Sequence, residues 1–370
     1  MTTSTAITIS TSDEDSDSGH PSLNDRVVLL LHWWQHHQES SKPIRLVDLR
    51  PSSEQRKRTL SIPTPDSIVV SLPIEFLKAR SFELPARHIE FDIVLRIEDI
   101  LQTEAVLLGV RPGTRKRPAN PWKISKILLD SEEDLWMPAA KLGLIATQQN
   151  PTFPLPRLWQ PDPMVEKILL PLLIQDHKTQ HSVEKRQIQH TNQKSGLHIL
   201  DLASGSGRDV AFLAEELVTA GISDSRVVGI DHRYNEKETI IVRDFWNRRG
   251  IKDQTDSLKV DLSNLENLEK LVKWRDVKAL FCVRFWKPEL VKSIATTSVL
   301  PSGTVFGLSH FCKPFRGAPW DFEHPSEKTV LERDELSELF SGAWNILHNE
   351  IAMDSDHGRT MIHFVAQKMT

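Results

Sequence analysis

Acidic, small and glycine residues are concentrated in one stretch of the sequence, Ile199-Leu200-Asp201-Leu202-Ala203-Ser204-Gly205-Ser206-Gly207-Arg208-Asp209. Its apolar start predicts a buried strand, and the glycines predict a tight turn before a helix that runs from Asp209 to Ala220. Gly205 and Gly207 let the backbone approach a ligand closely, and the N-terminus of the helix points its free amides at the same place. The stretch therefore predicts a cradle for a nucleotide-like ligand.

Two further carboxylates follow the next predicted strands. Asp231 ends the apolar run that begins at Val227, and Asp261 lies at the end of a third strand, predicted over Ser257–Leu262. Ligands of open α/β sheets bind at the carboxyl ends of parallel strands, so Asp231 should lie where ribose hydroxyls would sit. Each feature alone fits a simple turn or a helix cap. Their recurrence at the ends of three successive strands favours a ligand site.

The glycine spacing separates two nucleotide-binding classes. A dinucleotide fingerprint needs a third glycine three residues after Gly207, and none occurs before Gly221, which weakens the NAD interpretation. With Asp201 four residues before the first glycine, the segment instead resembles class I S-adenosylmethionine-dependent methyltransferases. The resemblance implies S-adenosyl-L-methionine as the cofactor and Asp261 as the acceptor of a hydrogen bond from the adenine amino group. The cofactor contacts that it implies are Asp201, Ala203, Ser204, Gly205, Ser206, Gly207, Asp231, His232, Asp261 and Leu262.

The methyl acceptor is harder to predict, because methyl transfer depends mainly on positioning and needs a base only where the acceptor must lose a proton. The exit of the fourth strand, Cys282–Pro288, lacks the Asn/Asp-Pro-Pro-aromatic tetrad of enzymes that methylate bases and glutamine. A small molecule is therefore favoured over nucleic acid. Arg284 is the candidate catalytic residue, as a clamp for an anionic acceptor, although it would equally suit packing at the strand end. The candidate acceptor contacts are Arg284, Trp286, Lys313, Arg316 and Trp320.

The N-terminal half resembles a second family. Val47-Asp48-Leu49-Arg50 and then Ser67–Pro73 resemble the opening of rhodanese-like domains, with Phe91–Leu95 as the central strand. Active rhodaneses carry a nucleophilic cysteine after that strand, where Arg96-Ile97-Glu98 stands here, and no cysteine precedes Cys282. The resemblance therefore implies a domain without sulfur-transfer chemistry, which leaves a binding or regulatory role and a protein partner as an option.

The predicted elements divide the chain into four parts. Residues 1–24 form an acidic disordered tail, residues 25–145 the rhodanese-like α/β domain, residues 146–163 a proline-rich linker and residues 164–370 the methyltransferase domain. Alternating strand and helix patterns in the last part predict a Rossmann-like, seven-stranded, doubly wound sheet. The predicted limits include strands at Val277–Phe285 and Gly303–Phe311 and helices at Met164–Ile174 and Glu332–Phe340.

Composition sets the remaining expectations. The chain has 370 residues, 39% of them hydrophobic, and a formal net charge of -4, which gives no global field for capturing nucleic acid. Two cysteines favour a reducing compartment. No secretory, mitochondrial or membrane-spanning segment is recognisable, so we expect a cytoplasmic protein with the nucleus as the open alternative.

Two side-chain clusters suit other ligands. His177 and His181 would share a helix face and could bind a metal with His190, but their segment is polar enough to form a loop and no catalytic carboxylate accompanies them. We predict no metal. The basic run Arg111–Arg117 with Trp122 has the composition of a nucleic-acid contact or of a solvated loop. The alternative function left open is a non-catalytic S-adenosylmethionine-binding or scaffold protein that recruits a partner through its N-terminal domain.

Overall fold

The computed structural model describes residues 22–40, 42–55, 58–64, 66–109, 121–146, 154–187, 197–263, 266–270, 272–353 and 358–369. Most of the predicted acidic tail, the basic run Arg111–Arg117, the first half of the predicted linker and His190 lie outside these ranges. Within them, the chain folds into two mixed α/β units with one sheet each. No described helix is both long enough and apolar enough to cross a membrane.

The N-terminal unit contains a parallel sheet. Its described strands are β1 (Arg45–Asp48), β2 (Ile68–Ser71), β3 (Phe91–Leu95) and β4 (Ile124–Leu129). They pair in the order β2-β1-β3-β4. Every residue of β3 is buried between two neighbouring strands, which confirms the predicted inner strand at Phe91–Leu95. The helices of this unit are α1 (Leu30–Ser40), α2 (Ser52–Gln55), α3 (Ile100–Thr103) and α4 (Met137–Lys141).

A buried charged pair closes the carboxyl end of β1. Arg50 is 1% exposed and donates two hydrogen bonds to the Asp48 carboxylate, at 3.0 and 2.7 Å. Its guanidinium also lies 4.4 Å from the centre of the Trp136 ring. Burial raises the pKa of Asp48 more than the hydrogen bonds from Arg50 lower it. The Asp-x-Arg pattern seen in the sequence is thus part of the core of this unit, since a buried charge must be paired.

The C-terminal unit contains the larger sheet. Its strands are β5 (His198–Leu202), β6 (Arg226–Ile230), β7 (Thr255–Leu258), β8 (Val277–Val283), β9 (Val305–Phe311), β10 (Trp344–Met353) and β11 (Thr360–Lys368). In the described residues seven strands pair in the order β10-β11-β9-β8-β5-β6-β7. The pairs from β7 to β9 are parallel, and β11 runs antiparallel to both of its neighbours.

Helices cover both faces of this sheet, because two separate apolar clusters pack against it. They are α5 (Leu170–Gln187), α6 (Arg208–Thr219), α7 (Glu236–Arg248), α8 (Glu266–Glu269), α9 (Pro288–Thr296) and α10 (Glu335–Phe340). A wider helical turn, Val165–Leu169, leads into α5. Of the two alternatives for the segment of His177 and His181, the structure shows the helix, since both residues lie in α5. Long polar side chains such as Gln, Lys and Glu are good helix formers, so the apolar pattern understated the helix length.

Two predicted strand ends were also too late. The third strand ends at Leu258 rather than Leu262, and Val260 and Leu262 pack into the core from outside the sheet. The fourth strand ends at Val283 because Arg284 takes a left-handed conformation with φ 54°. Apolar periodicity reports burial, and burial continues past the last strand residue in both places.

The two units contact one another through the end of the linker and one turn. Leu158 is buried in the N-terminal core, whereas Trp159 is buried in the C-terminal core with its ring 6.3 Å from that of Phe245. Phe82 of the N-terminal unit packs edge-on against the same ring at 5.2 Å. Glu83, 5% exposed, accepts a hydrogen bond from Arg248 of α7 at 3.0 Å. These contacts place the N-terminal unit directly beside α6 and α7.

Candidate functional site

The turn after β5 has the left-handed backbone that its glycines predict. Gly205 and Gly207 have φ values of 57° and 70°, and Ala203 adopts φ 64° without being glycine. A side chain at Gly207 would clash with Trp246, whose ring carbon would lie 2.7 Å from the added Cβ. Gly207 is therefore required by packing as well as by conformation, and Ala203 holds backbone strain at the strand end.

Neighbouring side chains hold this turn against β6. The Ser204 hydroxyl lies 2.6 Å from the Tyr234 hydroxyl, and the Ser204 amide donates to the Ile230 carbonyl at 3.0 Å. A Cβ on Gly229 would lie 2.8 Å from the Ser204 Oγ, so only glycine fits beneath the turn. Burial raises the pKa of Tyr234, which stays a neutral hydroxyl partner. These contacts fix the position of the turn relative to β6.

Asp231, directly after β6, lies against the turn. Its Oδ2 accepts a hydrogen bond from the Gly205 amide at 2.9 Å, and its Oδ1 accepts one from the Arg233 amide at 2.8 Å. The Arg233 guanidinium donates to both oxygens. Burial alone would raise the pKa of Asp231, but these hydrogen bonds outweigh it and lower the pKa below the ordinary value. Asp231 is therefore a fixed carboxylate at neutral pH.

Two more carboxyl groups, those of Asp201 and Asp209, lie on either side of the glycine turn in the sequence. Asp201 is 2% exposed at the end of β5, and burial together with the charges of Asp209, Asp231 and Asp162 raises its pKa well above the ordinary value. Burial and the nearby Asp162 charge raise the pKa of Asp209 to about 6. Crowded acids of this kind hold a bound cation favourably, because each carboxylate gains a partner for its charge.

Asp162, at the end of the linker, forms hydrogen bonds with Asp209 and with residues of neighbouring elements. Its amide donates to Asp209 Oδ1 at 3.0 Å, and its Oδ1 accepts from the Met164 amide at 2.9 Å. Its Oδ2 accepts from the Ser309 hydroxyl at 2.9 Å, and that hydroxyl lies 3.3 Å from Nδ1 of His363. Burial raises the pKa of Asp162 and lowers that of His363. The linker is thereby anchored to the inner strands β9 and β11.

The carboxyl ends of β5, β6 and β8 enclose a cleft of about 420 Å³. This volume lies within the range of small-molecule sites. Among the described residues, its lining consists of Asp201, Ala203, Ser204, Gly205, Ser206, Arg208, Asp209, Asp231, His232, Arg233, Val283, Arg284 and Phe285. The structure thus brings together most of the cofactor contacts predicted from the sequence.

Three of the predicted cofactor residues do not line this cleft. Gly207 lies under Trp246, which donates to its carbonyl at 3.0 Å. Asp261 is exposed, and its Oδ1 accepts from the Ser263 amide at 2.9 Å. Leu262 is 5% exposed and packs in the core. The predicted contact of Asp261 with adenine remains a prediction, on the segment that follows β7.

Arg284 is the one predicted acceptor contact that lines the cleft. It lies beside Val283 and Phe285, and its guanidinium is 5.8 Å from the centre of the Phe311 ring. Its charge lowers the pKa of both Asp162 and Asp209, although burial dominates at those two groups. A left-handed conformation at a non-glycine residue next to a cleft is strain of the kind that functional sites retain.

The other predicted acceptor contacts lie in different surroundings. Lys313 forms ion pairs with Glu327 at 2.9 Å and Glu332 at 2.8 Å. Arg316 pairs with Glu338 on the surface, and Trp286 packs partly buried against the core. Trp320 donates to the Pro325 carbonyl at 2.8 Å, with its ring 6.3 Å from Phe311. Phe311 therefore contacts both Arg284 and Trp320, and so links the cleft to the loop after β9.

The predicted site residues omitted five that line the cleft, of which three are charged: Arg208, Asp209 and Arg233. Arg208 and Asp209 directly follow the glycine turn, so their position was visible in the sequence although their role was not. Arg233 follows Asp231 by two residues, but the direction of its side chain is set by the Asp231 carboxylate and Gly205. Among the described residues, no cluster of three or more His, Cys, Asp or Glu side chains could hold a metal ion.

Comparisons with known proteins add a likeness of fold. No protein-family model and no curated protein sequence matches the chain. Among solved structures, the [4+2]-cyclase SpnF is 16% identical with a TM-score of 0.37, and the alignment covers 52% of this chain and 80% of SpnF.

Two methyltransferases are similar at the same level. A SAM-dependent methyltransferase from Thiobacillus denitrificans, solved with S-adenosyl-L-homocysteine, is 14% identical with a TM-score of 0.34, covering 47% of this chain and 85% of that one. Geranyl diphosphate C-methyltransferase from Streptomyces coelicolor A3(2), solved with Mg²⁺, geranyl diphosphate and S-adenosyl-L-homocysteine, is 11% identical with a TM-score of 0.36, covering 54% and 81%. At these identities and TM-scores the likeness is one of fold alone.

Proposed function

We propose that the C-terminal unit is a class I, Rossmann-like methyltransferase domain that binds S-adenosyl-L-methionine in the cleft and transfers its methyl group to a small molecule. The observation that carries this proposal is the hydrogen bond between the Gly205 amide and the Asp231 carboxylate, 2.9 Å long. It joins the glycine turn after one strand to the carboxylate after the next, which is the arrangement that a nucleoside needs at the edge of a parallel sheet.

The charges of the cleft fit this cofactor. S-adenosyl-L-methionine supplies an activated methyl group on a positively charged sulfur and also carries an ammonium group and a carboxylate. Asp201 and Asp209 would favour the cationic groups, while Arg208 is a cation in the same lining that would suit the carboxylate. The absence of a third glycine three residues after Gly207 disfavours a dinucleotide in the same cleft.

The residues of this chain would act mainly by positioning. Asp231 would accept hydrogen bonds from the ribose hydroxyls, and the Ala203–Gly207 turn would let the ligand approach the backbone. Asp261 and Leu262, after β7, would serve the adenine. Arg284 would hold an anionic part of the acceptor in line with the methyl group, because methyl transfer gains most of its rate from alignment.

The N-terminal unit is part of the same proposal. We infer a rhodanese-like domain without its nucleophile, supported by the buried Asp48–Arg50 pair and by the inner strand β3. The segment after β3 contains Arg96, which donates to Asp99 at 2.8 Å, in place of a cysteine. Cys282 and Cys312 are both buried in the C-terminal unit. The N-terminal unit then serves binding rather than sulfur transfer.

Label transfer tests the catalytic proposal. The full chain would be incubated with methyl-tritiated S-adenosyl-L-methionine and a protein-free small-molecule extract, and tritium would be measured in the extract after the cofactor is removed. With the cofactor below saturation, we expect enzyme-dependent labelling that Asp231→Ala lowers about tenfold or more and that Asp224→Asn, at an exposed position, leaves unchanged. Cofactor binding without any transfer to small molecules or to added protein would instead identify a non-catalytic binding module.

A further inference from the structure

A second cavity lies at the opposite edge of the N-terminal sheet from the segment that follows β3. It has a volume of about 520 Å³ and is formed where β1, β3 and β4 begin. Among the described residues it is lined by His37, Lys42, Pro43, Arg45, His88, Ile89, Glu90, Phe91, Asp92, Lys123 and Ser125. Parallel strands bring their starting residues to one edge, which explains how distant parts of the sequence meet there.

Three cations of this lining are not neutralised. Within the described parts of the chain, Lys42, Arg45 and Lys123 have no carboxylate partner. Lys42 and Lys123 are exposed, and Arg45 is half-buried at the start of β1. Cations that share a concave wall reinforce one another, because a low-dielectric surface focuses their field into the cavity.

The lining also contains two carboxylates, Asp92 and Glu90, so its three cations exceed its carboxylates by one. Asp92 Oδ2 accepts hydrogen bonds from the Trp33 indole and from the His37 imidazole, both at 2.9 Å, and Asp92 Oδ1 accepts from the Lys126 amide at 2.9 Å. Both oxygens of Asp92 are therefore occupied from within the protein. Glu90 is exposed at the surface of the lining, where water screens its charge.

We propose that this cavity binds the phosphoryl group of a phosphorylated small molecule, held by Lys42, Arg45 and Lys123. Guanidinium and ammonium groups form strong charge-assisted hydrogen bonds with phosphate oxygens. The volume suits a molecule the size of a nucleotide. The chain's net charge of -4 opposes long polyanions, which favours a small ligand over nucleic acid. This site is independent of the cleft in the C-terminal unit.

Calorimetric titration of the full chain tests the site with four probes: inorganic phosphate, pyrophosphate, ADP and adenosine. We expect pyrophosphate and ADP to bind at this site, and any adenosine binding to be lost in Asp231→Ala because it belongs to the cleft. The double variant Arg45→Gln, Lys123→Gln should weaken ADP binding by about tenfold or more, since two charge-assisted contacts are lost. Lys141→Gln, an exposed change outside the cavity, should bind ADP as the wild type does. Raising NaCl from 50 to 200 mM should weaken ADP binding several-fold.

Two results would overturn the site. One is the absence of binding by every phosphate-bearing probe, and the other is unchanged ADP affinity in the double variant. Lys42→Gln, at an exposed position, gives an independent measurement if the Arg45 substitution lowers the melting temperature. Asp231→Ala separates this site from the cleft, because ADP affinity should not change in that variant. A loss there would assign ADP to the cleft and contradict the proposal.

Discussion

The Arg233 guanidinium bonds both carboxylate oxygens of Asp231, with Nε 3.2 Å from Oδ1 and Nη2 3.3 Å from Oδ2. The same Nη2 would lie 3.1 Å from a Cβ on Gly205, so the side chain also covers the glycine turn. Arg233 is 63% exposed, whereas Asp231 is 2% exposed. In the proposed function, the ribose hydroxyls of the cofactor replace the exposed Arg233 guanidinium as hydrogen-bond donors to the buried Asp231 carboxylate.

Arg233→Gln is therefore expected to tighten binding of S-adenosyl-L-homocysteine about threefold, because an exposed ion pair of roughly 0.5 to 1 kcal/mol no longer competes with the ligand. Isothermal titration calorimetry at pH 7.5 measures the change. Arg243→Gln is the matched control, since Arg243 is similarly exposed and pairs with Asp256 at the edge of β7. Weaker binding by the Arg233 variant would mean that its guanidinium contacts the ligand.

Alanine substitutions at the two glycines of the turn should distinguish a loss of packing from a loss of cofactor binding. Gly207→Ala forces a Cβ to within 2.7 Å of Trp246 at a positive φ, so we expect the free energy of unfolding to fall by about 2 to 4 kcal/mol. Gly205→Ala meets only the flexible end of Arg233, so its cost should be about 1 to 2 kcal/mol, but it should weaken cofactor binding more than its stability loss suggests.

Denaturant unfolding and calorimetry together test this pair. Gly221→Ala, at φ 82° with no atom within 4 Å of the added Cβ, gives the cost of the backbone conformation alone. Equal stability losses at Gly205 and Gly207 would contradict the packing role of Trp246.

Asp209 should make stability depend on pH. Its pKa of about 6 in the folded protein exceeds the ordinary value of 3.8, so the folded state binds the proton more tightly than the unfolded state. Its favourable contribution is complete below about pH 4 and is lost as the pH rises through 6. Asp209→Asn should therefore be more stable than the wild type by about 1 to 2 kcal/mol at pH 7.5, and this difference should shrink as the pH falls towards 4.

Melting temperatures of both proteins between pH 4.5 and 7.5 measure this difference. The matched control is Asp253→Asn, at an exposed position in the same unit, which should show no pH-dependent difference. A gain for Asp209→Asn that is the same at every pH would exclude proton uptake as its cause.

The sequence predicted the local part of the site and missed its long-range part. The strand, turn and helix around Gly205 depend on residues adjacent in the chain, and so does the carboxylate that follows β6. Asp162 reaches Asp209 from 47 positions earlier, and Phe82 accepts a hydrogen bond from Arg208 at 3.4 Å across 126 positions. Such contacts depend on how the two units pack, which no periodicity in a single segment reports.

Strand limits were less predictable than strand existence. The inner strands were recognisable because burial on both faces produces unbroken apolar runs. Their ends were not, since Val260 stays buried after β7 has ended and Arg284 bends the chain away after β8. The residues that contact the methyl acceptor were the hardest to predict. Lys313 and Arg316 form ion pairs with glutamates, and the positions of these glutamates depend on the loop after β9.

Calorimetric titration of the full chain with S-adenosyl-L-methionine and, separately, with NADH tests the central claim most directly, in the wild type and in Asp231→Ala. We predict micromolar binding of S-adenosyl-L-methionine, corresponding to roughly -8 kcal/mol, no binding of NADH, and a loss of about tenfold or more in the variant, with Asp224→Asn as the unchanged control. Binding of NADH in place of S-adenosyl-L-methionine, binding of neither, or equal affinity in Asp231→Ala would contradict the account.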